Sequence, residues 1–109
     1  MTNSLVSILI PFKNVEEYFE ECLKSIRNQT YQKWEVLAIN DHSDDNSLAI
    51  AERFSKLDNR FKIFTNDESG IITALRKAYR HSDGEFITRM DADDYMSQDR
   101  INTMLVSLK

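Results

Sequence analysis

Glycine, proline and cysteine are scarce in this chain, whose 109 residues include two glycines, one proline and one cysteine. This scarcity excludes collagen-like and low-complexity sequences, which need many glycines and prolines. The one cysteine, Cys22, excludes an internal disulfide, and its place on an apolar helix face predicts a buried, reduced thiol. We therefore expect one globular domain that is stabilised by its apolar core.

Basic charge and long apolar runs are missing as well. The formal net charge is −4, so no basic excess is available to neutralise phosphates, and we expect no nucleic-acid partner. No apolar run approaches the ~20 residues that a membrane-spanning helix needs. The first residues, MTNSLVSILIPFKN, lack the charged region and the cleavage site of a signal peptide. These absences predict a soluble, cytoplasmic protein.

Apolar residues follow two spacings that alternate along the chain. Unbroken or alternating apolar segments predict four strands, over residues 5–10, 34–40, 61–65 and 85–90. Spacings of three and four predict a helix after each strand, with apolar faces formed by Tyr18, Phe19, Cys22, Leu23 and Ile26, by Leu48, Ala51, Phe54 and Leu57, by Ile71, Ala74, Leu75, Ala78 and Tyr79, and by Ile101, Leu105 and Leu108. Pro11 is expected to end the first strand, and Asn14 with Glu17 to cap the first helix.

This alternation of strands and helices is typical of a parallel sheet with right-handed crossovers. We predict an α/β fold, a doubly wound three-layer sandwich with a mostly parallel sheet in the order 3-2-1-4. Ligands in such sheets bind beyond the carboxyl ends of the strands. Three polar segments follow strands one, two and four, namely PFKN, NDHSDDNS and DADD. The ends of strands two and four are about 10 Å apart across strand one, which suits a nucleoside diphosphate.

The acidic segment after the fourth strand is a candidate metal site. Asp91 and Asp93 alternate along the chain and offer hard oxygen ligands for Mn²⁺ or Mg²⁺. A cation there would offset the repulsion between carboxylates and phosphates. The alternative is a solvated acidic turn, in which Asp94 or Asp99 favours the start of the last helix.

A second cation site is weakly indicated after the second strand. Asp41, Ser43, Asp45 and Glu52 occupy positions 1, 3, 5 and 12 of an EF-hand calcium loop. Position 6, however, is Asn46 where that loop needs glycine, and a strand precedes the segment where an EF-hand has a helix. We therefore do not expect calcium binding.

Two long blocks of the sequence resemble the N-terminal, nucleotide-binding half of the family 2 glycosyltransferases, which have the Rossmann-like GT-A fold. The blocks are VSILIPFKNVEEYFEECLKSIRNQTYQKWEVLAINDHSDDNS and SGIITALRKAYRHSDGEFITRMDADD. The first resembles the family's opening strand, helix, Q-T-Y turn and second strand, and the second ends in the family's D-x-D metal motif. The resemblance implies that residues 1–109 are the nucleotide-sugar-binding part, truncated before the acceptor-binding C-terminal part.

The resemblance implies a nucleoside site on the first block. Pro11, Phe12 and Asn14 match the segment that lines the base pocket, and Glu16 matches an acidic residue often found there. Asp41 matches the aspartate that hydrogen-bonds the base, commonly uracil. A carboxylate suits that place because it accepts from an N–H donor.

The second block is implied to bind the diphosphate and the metal. Asp91 matches the residue near the ribose and the metal, Asp93 matches the metal ligand, and Ala92 between them belongs to the same nucleotide-binding segment. Arg76 falls where related sequences carry a polar or basic residue that faces the nucleotide. Arg76 departs from the asparagine of many members, and His42 stands where many have glycine.

The resemblance further implies transfer of a hexose from a nucleotide donor, UDP foremost, to an acceptor hydroxyl with inversion. Mn²⁺ or Mg²⁺ would assist, and the acceptor would be a saccharide or lipid-linked molecule of polysaccharide or glycolipid biosynthesis. The catalytic base is expected downstream, so no catalytic residue is assigned here and the segment alone is expected to be inactive. A nucleotidyltransferase is disfavoured because no glycine-rich loop follows the first strand.

One alternative stays open from the sequence, a non-catalytic remnant or interaction module that keeps the nucleotide-binding fold. An exposed apolar face near Ile101 to Leu108 would indicate missing sequence or a homo-oligomer. Peripheral association with the cytoplasmic face of a membrane also stays open.

Overall fold

The computed structural model describes residues 3–107, in which four strands alternate with four helices. In chain order the elements are β1 Val6–Phe12, α1 Glu16–Arg27, β2 Trp34–Asn40, α2 Ser47–Leu57, β3 Phe61–Thr65, α3 Ile71–Arg80, β4 Phe86–Arg89 and α4 Arg100–Ser107. The predicted elements are all present, and the bounds of β2 and β3 agree with the prediction, whereas β1 and β4 differ from it by one or two residues at their ends.

The four strands form one parallel sheet in the order β3-β2-β1-β4, as the sequence predicts. β1 pairs with β2 along its whole length, from Val6 opposite Trp34 to Phe12 opposite Asn40. β4 is the shortest strand and pairs with β1 over its four residues. Because the strands are parallel, their carboxyl ends share one edge of the sheet.

Helices cover both faces of the sheet, which confirms the three-layer arrangement. α1, α2 and α4 contribute to the larger core, together with Ile8 and Ile10 of β1. α3 packs on the opposite face, where Ala74 and Ala78 contact the core around Leu9. Successive residues of β1 point to opposite faces and both faces are buried, which explains its unbroken apolar run.

The prediction that Pro11 ends the first strand was wrong. β1 continues to Phe12, and Pro11 lies opposite Ile39 of β2. The carbonyls of Leu5 and Leu9 accept hydrogen bonds from the β4 side. The nitrogen of Pro11 faces the same side, but β4 pairs with β1 only as far as Leu9. Its missing N–H therefore costs no ladder hydrogen bond.

The predicted capping box of Asn14 and Glu17 was also wrong. At the start of α1, which lies wholly within the described residues, no side chain of the N-cap residue bonds the helix. The N–H of the residue before α1 donates instead to Ser47 Oγ at 2.8 Å, and that of Glu16 donates to Asp45 Oδ2 at 3.2 Å. The free donors of this helix end are thus satisfied by the loop before α2.

The last helix is buried on its predicted face but carries one exposed apolar side chain. Ile101 and Leu105 of α4 are buried in the larger core, Val106 is exposed, and Leu108 lies outside the described residues. Further apolar side chains are exposed on α3 and β4, among them Ile72, Tyr79 and Ile87. The predicted apolar face of α3 is therefore only partly buried.

Candidate functional site

The three polar segments predicted to form a site do meet at the carboxyl edge of the sheet. Asp41 follows β2 directly, and its N–H donates to the carbonyl of Phe12 at 2.8 Å. The acidic segment follows β4 through Met90, whose N–H donates to the carbonyl of Leu9 at 3.0 Å. Asp41 and Asp91 thus lie on either side of the end of β1.

The loop after β1 is locked to the loop after β2 by Asn14. Its N–H donates to Ser43 Oγ at 3.1 Å, and its Oδ1 accepts from the N–H of Asp44 at 2.7 Å. Asn14 adopts a left-handed backbone conformation with φ 51°, and His42 does so with φ 60°. The structure therefore gives Asn14 a loop-locking role, which the sequence had not suggested.

Glu16 makes a second connection between the same two loops. Its Oε1 accepts from the N–H of Asn46 at 3.2 Å, while its own N–H donates to Asp45 Oδ2. Asp45 Oδ1 also accepts from the N–H of Ser47 at 2.9 Å. Desolvation acts to raise the pKa of Asp45, but the hydrogen bonds from Ser47 and from the N–H of Glu16 outweigh it and lower the pKa. Both oxygens of Asp45 are used to bind the backbone of the two loops, and no group of three or more His, Cys, Asp or Glu side chains within residues 3–107 could hold a metal ion, so the EF-hand alternative receives no support.

Phe12 and Ala92 have buried side chains, and Pro11 is half-buried. The ring of Phe12 packs on that of Phe19, with 4.5 Å between the ring centroids. The side chains of Phe12 and Ala92 therefore contribute to the core beneath the site, and only their backbone is at the rim.

Asp41 is held by two partners that the sequence did not identify. Asn66 Nδ2 donates to Asp41 Oδ1 at 2.9 Å, and the N–H of Gly70 lies 3.2 Å from each carboxylate oxygen. Asn66 directly follows β3, and Gly70 precedes α3. The sequence did contain a signal for Asn66. It is a polar residue at the end of a third parallel strand, and that end lies at the same edge of the sheet.

The acidic loop after β4 is anchored by apolar residues and exposes its carboxylates. Asp91, Asp93 and Asp94 are exposed, while Ala92 and Met96 between and after them are buried. The N–H of Asp94 donates to the carbonyl of Asp91 at 3.0 Å, which closes a turn. The loop therefore holds its carboxylates at the rim, in contact with solvent.

Cys22 lies beneath this loop, as the sequence predicts for a buried thiol. Its Sγ is 3.8 Å from the carbonyl oxygen of Asp91. Burial, and to a smaller extent the nearby carboxylates of Asp94 and Asp93, raise the pKa of the thiol to about 12. The buried face of α1 thus experiences the negative charge of the loop.

The carboxylates of Asp91 and Asp93 fit part of a divalent metal site. Exposed hard oxygens are what Mn²⁺ and Mg²⁺ bind, and both cations retain positions for phosphate oxygens and water. Within residues 3–107 no group of three or more His, Cys, Asp or Glu side chains could hold a metal ion alone. The remaining ligands of such a cation would therefore have to come from a bound diphosphate and water.

Arg76 lies on α3 and lines a groove of about 590 Å³ between that helix and β4. Leu9, Tyr79 and Arg89 also line it. Arg89 NH2 is 3.5 Å from Asp91 Oδ1, so it joins the groove to the acidic loop. Arg89 was not predicted from the sequence, although its place on β4, two residues before Asp91, was an available signal.

No helix of the described part of the chain is long and apolar enough to cross a membrane.

Relatives of known sequence match most of the length of this chain. An uncharacterized glycosyltransferase of Haemophilus influenzae is 39% identical over 106 residues, which cover 96% of this chain and 33% of that protein. The chain spans 15% to 33% of the length of the first three curated relatives that it matches.

Solved structures of glycosyltransferases share the fold. TarS 1–349 of S. aureus in complex with UDP has 27% identity and a TM-score of 0.82, over 93% of this chain and 31% of that one. The mannosyltransferase PcManGT of Pyrobaculum calidifontis, in complex with GDP-Man and Mn²⁺, has 26% identity and a TM-score of 0.81, over 94% of this chain and 31% of that one. These similarities confirm the GT-A fold. The model of the family described as Glycosyl transferase family 2 matches residues 7–109, and the chain therefore belongs to that family.

Proposed function

We propose that residues 1–109 are the donor-binding part of an inverting glycosyltransferase that transfers a hexose from a UDP-sugar to an acceptor hydroxyl. One observation carries the proposal. Asp41 and the exposed pair Asp91 and Asp93 flank the end of β1 in a family 2 fold. Strands two positions apart are separated by about 10 Å, which a nucleoside diphosphate spans.

The roles of the side chains follow from their places at this edge. Asp41 accepts a hydrogen bond from the base, while Pro11, Phe12, Asn14 and Glu16 form and lock the loop beside it. Two structural neighbours support a nucleotide site, since TarS was solved with UDP and PcManGT with GDP-Man and Mn²⁺. The proposed UDP-sugar donor of this chain is based on that similarity.

The diphosphate is bound at the other side of the site. Asp91 and Asp93 would hold Mn²⁺ or Mg²⁺ there, Ala92 supports the loop from below, and Arg76 and Arg89 line the adjoining groove. A bound cation would stabilise the negative charge that develops on the departing nucleoside diphosphate. The protein's own contribution is to orient the donor and to keep its carboxylates ready for the cation.

The acceptor and the catalytic base are proposed to lie outside these residues. A general base must deprotonate the acceptor hydroxyl from the face opposite the leaving group, and this chain spans only 15% to 33% of the length of the first three curated relatives. Residues 1–109 alone are therefore proposed to bind the donor without transferring sugar. The acceptor is proposed to be a saccharide or lipid-linked molecule of polysaccharide or glycolipid biosynthesis.

Cytoplasmic location, peripheral membrane contact and self-association stay predictions from the sequence. The apolar surface of Ile72, Tyr79 and Ile87 is the one that a membrane or a second copy would use.

Calorimetric titration of UDP, with and without Mn²⁺, tests the donor site. The wild-type chain is expected to bind UDP more tightly with Mn²⁺, and Asp93→Asn is expected to lose at least about tenfold in affinity because one cation ligand is removed. Asp94→Asn is the matched control, since it removes the same charge one residue further along the loop. Its affinity should stay within about threefold of wild type.

Two outcomes would contradict the proposal. If folded wild-type chain binds no UDP under either condition, the chain keeps the fold without the site, and the non-catalytic alternative holds. If Asp93→Asn and Asp94→Asn weaken binding equally, the acidic loop acts only through its total charge.

A further inference from the structure

Asn66 occupies a buried position behind the proposed base-binding carboxylate. Its side chain is 2% exposed. Its N–H donates to the carbonyl of Asn40 at 2.9 Å, so the pairing of β3 with β2 extends one residue past the end of β3. This backbone bond fixes the point from which the Asn66 amide reaches Asp41.

The surroundings of the Asn66 amide favour one of its two orientations. Its Nδ2 donates to two acceptors, Asp41 Oδ1 at 2.9 Å and the carbonyl of Gly70 at 3.0 Å. Its Oδ1 is buried and has no hydrogen-bond partner among the residues that the structure describes. Rotation of the amide by half a turn would place that oxygen against two other oxygens, so the donor orientation is the favoured one.

Gly70 completes the support of the same carboxylate. Its N–H contacts both oxygens of Asp41 at 3.2 Å, with a backbone φ of 122° and ψ of 153°. Side chains of L-residues rarely permit this conformation. The glycine therefore lets a backbone donor reach Asp41 from the loop before α3.

These contacts leave the two oxygens of Asp41 unequal. Each carboxylate oxygen accepts about two hydrogen bonds. Oδ1 already accepts from Asn66 and Gly70, while Oδ2 only shares the N–H of Gly70. Oδ2 is thus the acceptor that remains for a ligand.

We propose that Asn66 is a positioning residue that occupies Asp41 Oδ1 and so makes the base site select uracil over guanine. Uracil presents one ring N–H between two carbonyls, which a single acceptor satisfies. Guanine presents a ring N–H beside an amino group, and pairing with both requires both carboxylate oxygens. The inference rests on the proposed donor site and adds its base selectivity.

Affinities for UDP and GDP, measured by calorimetry with Mn²⁺ on wild type and Asn66→Ala, test this role. Wild type is expected to prefer UDP. Asn66→Ala is expected to weaken UDP binding about tenfold and to reduce the ratio of the two affinities, because Oδ1 becomes free for the second donor of guanine. Glu68→Gln, an exposed change on the same loop, is the control and should leave both affinities unchanged.

If Asn66 had only a structural role, Asn66→Ala would lower both affinities in parallel and leave their ratio unchanged. That result would overturn the inference, and so would a wild type that prefers GDP. Failure of wild type to bind either nucleotide would overturn the donor site itself. A second measurement avoids variants: the side-chain amide signals of Asn66 in wild-type NMR spectra should shift when UDP is added. No shift at saturating UDP would also overturn the inference.

Discussion

At the scale of single residues, the two loops beside β1 use left-handed backbone conformations. Asn14 tolerates its φ of 51° because its short side chain makes a local polar contact, here with the N–H of Asp44. His42, at φ 60°, stands where many members of glycosyltransferase family 2 have glycine. Glycine adopts this conformation without steric cost, which is the physical reason for that preference.

Cys22 is predicted to be unreactive in the folded chain. Its pKa is raised to about 12, first by burial and then by Asp94 and Asp93, so almost no thiolate forms at mildly alkaline pH. Iodoacetamide should label it slowly in the native protein and rapidly in denaturant, as followed by mass spectrometry. Native labelling at the denatured rate would show that the thiol is accessible and ionised.

At the scale of elements, β4 is held at its start by a buried carboxylate on β2. Glu35 Oε2 accepts from Ser7 Oγ at 2.7 Å and from the N–H of Asp83 at 2.6 Å, and its Oε1 accepts from Lys62 at 2.8 Å. Gly84 lies so close that an added Cβ would be 2.5 Å from Ser7 Oγ. This network connects β1, β2 and β3 to the segment directly before β4 and therefore fixes where β4 begins.

Glu35→Gln is predicted to lower stability in a pH-dependent way. Burial by itself raises the pKa of Glu35, but the donors from Asp83, Lys62 and Ser7 outweigh it and the pKa is lowered from about 4.5. The ionised form thus stabilises the fold above that pH, and this stabilisation is lost as the pH falls through the lowered value. The loss at neutral pH should be about 1–3 kcal/mol.

Urea unfolding of wild type and Glu35→Gln at a series of pH values measures this effect. The difference in the free energy of unfolding should shrink as the pH falls below about 4.5. Glu85→Gln, an exposed change near the start of β4, should alter stability by less than about 0.5 kcal/mol. A difference for Glu35→Gln that is constant with pH would mean that the ionised carboxylate is not what stabilises the network.

At the scale of the whole molecule, the two sides of the sheet are packed unequally. The α1 side contains the larger core, whereas α3 buries only Ala74 and Ala78 completely. Ile72 and Tyr79 of α3 are 61% and 63% exposed. Local opening costs least where few apolar contacts are lost.

We therefore predict faster amide hydrogen exchange in α3 than in α1. The central strands β1 and β2, whose residues are nearly all buried, should exchange most slowly. Hydrogen exchange followed by mass spectrometry on the 109-residue chain measures all of these elements at once, with α1 as the internal control. Equal protection of α1 and α3 would show that the apolar exposure of α3 does not weaken it.

Much of the fold could be predicted because its signals are local. The apolar run of residues 5–10 predicts a strand buried on both faces, and the spacing of Phe19, Cys22 and Ile26 predicts a helix face. Short strand–helix connections then restrict the sheet to right-handed parallel crossovers. The sequence by itself thus determined that the strands are parallel, and it placed Asp41, Asp91 and Asp93 at their common carboxyl edge. The order 3-2-1-4 was predicted as the usual order of such sheets, and the tertiary structure decided it.

Contacts between loops were decided only by the tertiary structure. Asn14 bonds Asp44, and Asn66 bonds Asp41, across 30 and 25 residues of chain. Side-chain partners at such distances depend on which strand ends are neighbours and on the exact register between them, which no local spacing encodes. The tertiary structure also decides that Pro11 is tolerated inside β1. β4 is too short to pair with β1 at Pro11, so the missing N–H of the proline breaks no hydrogen bond of the sheet.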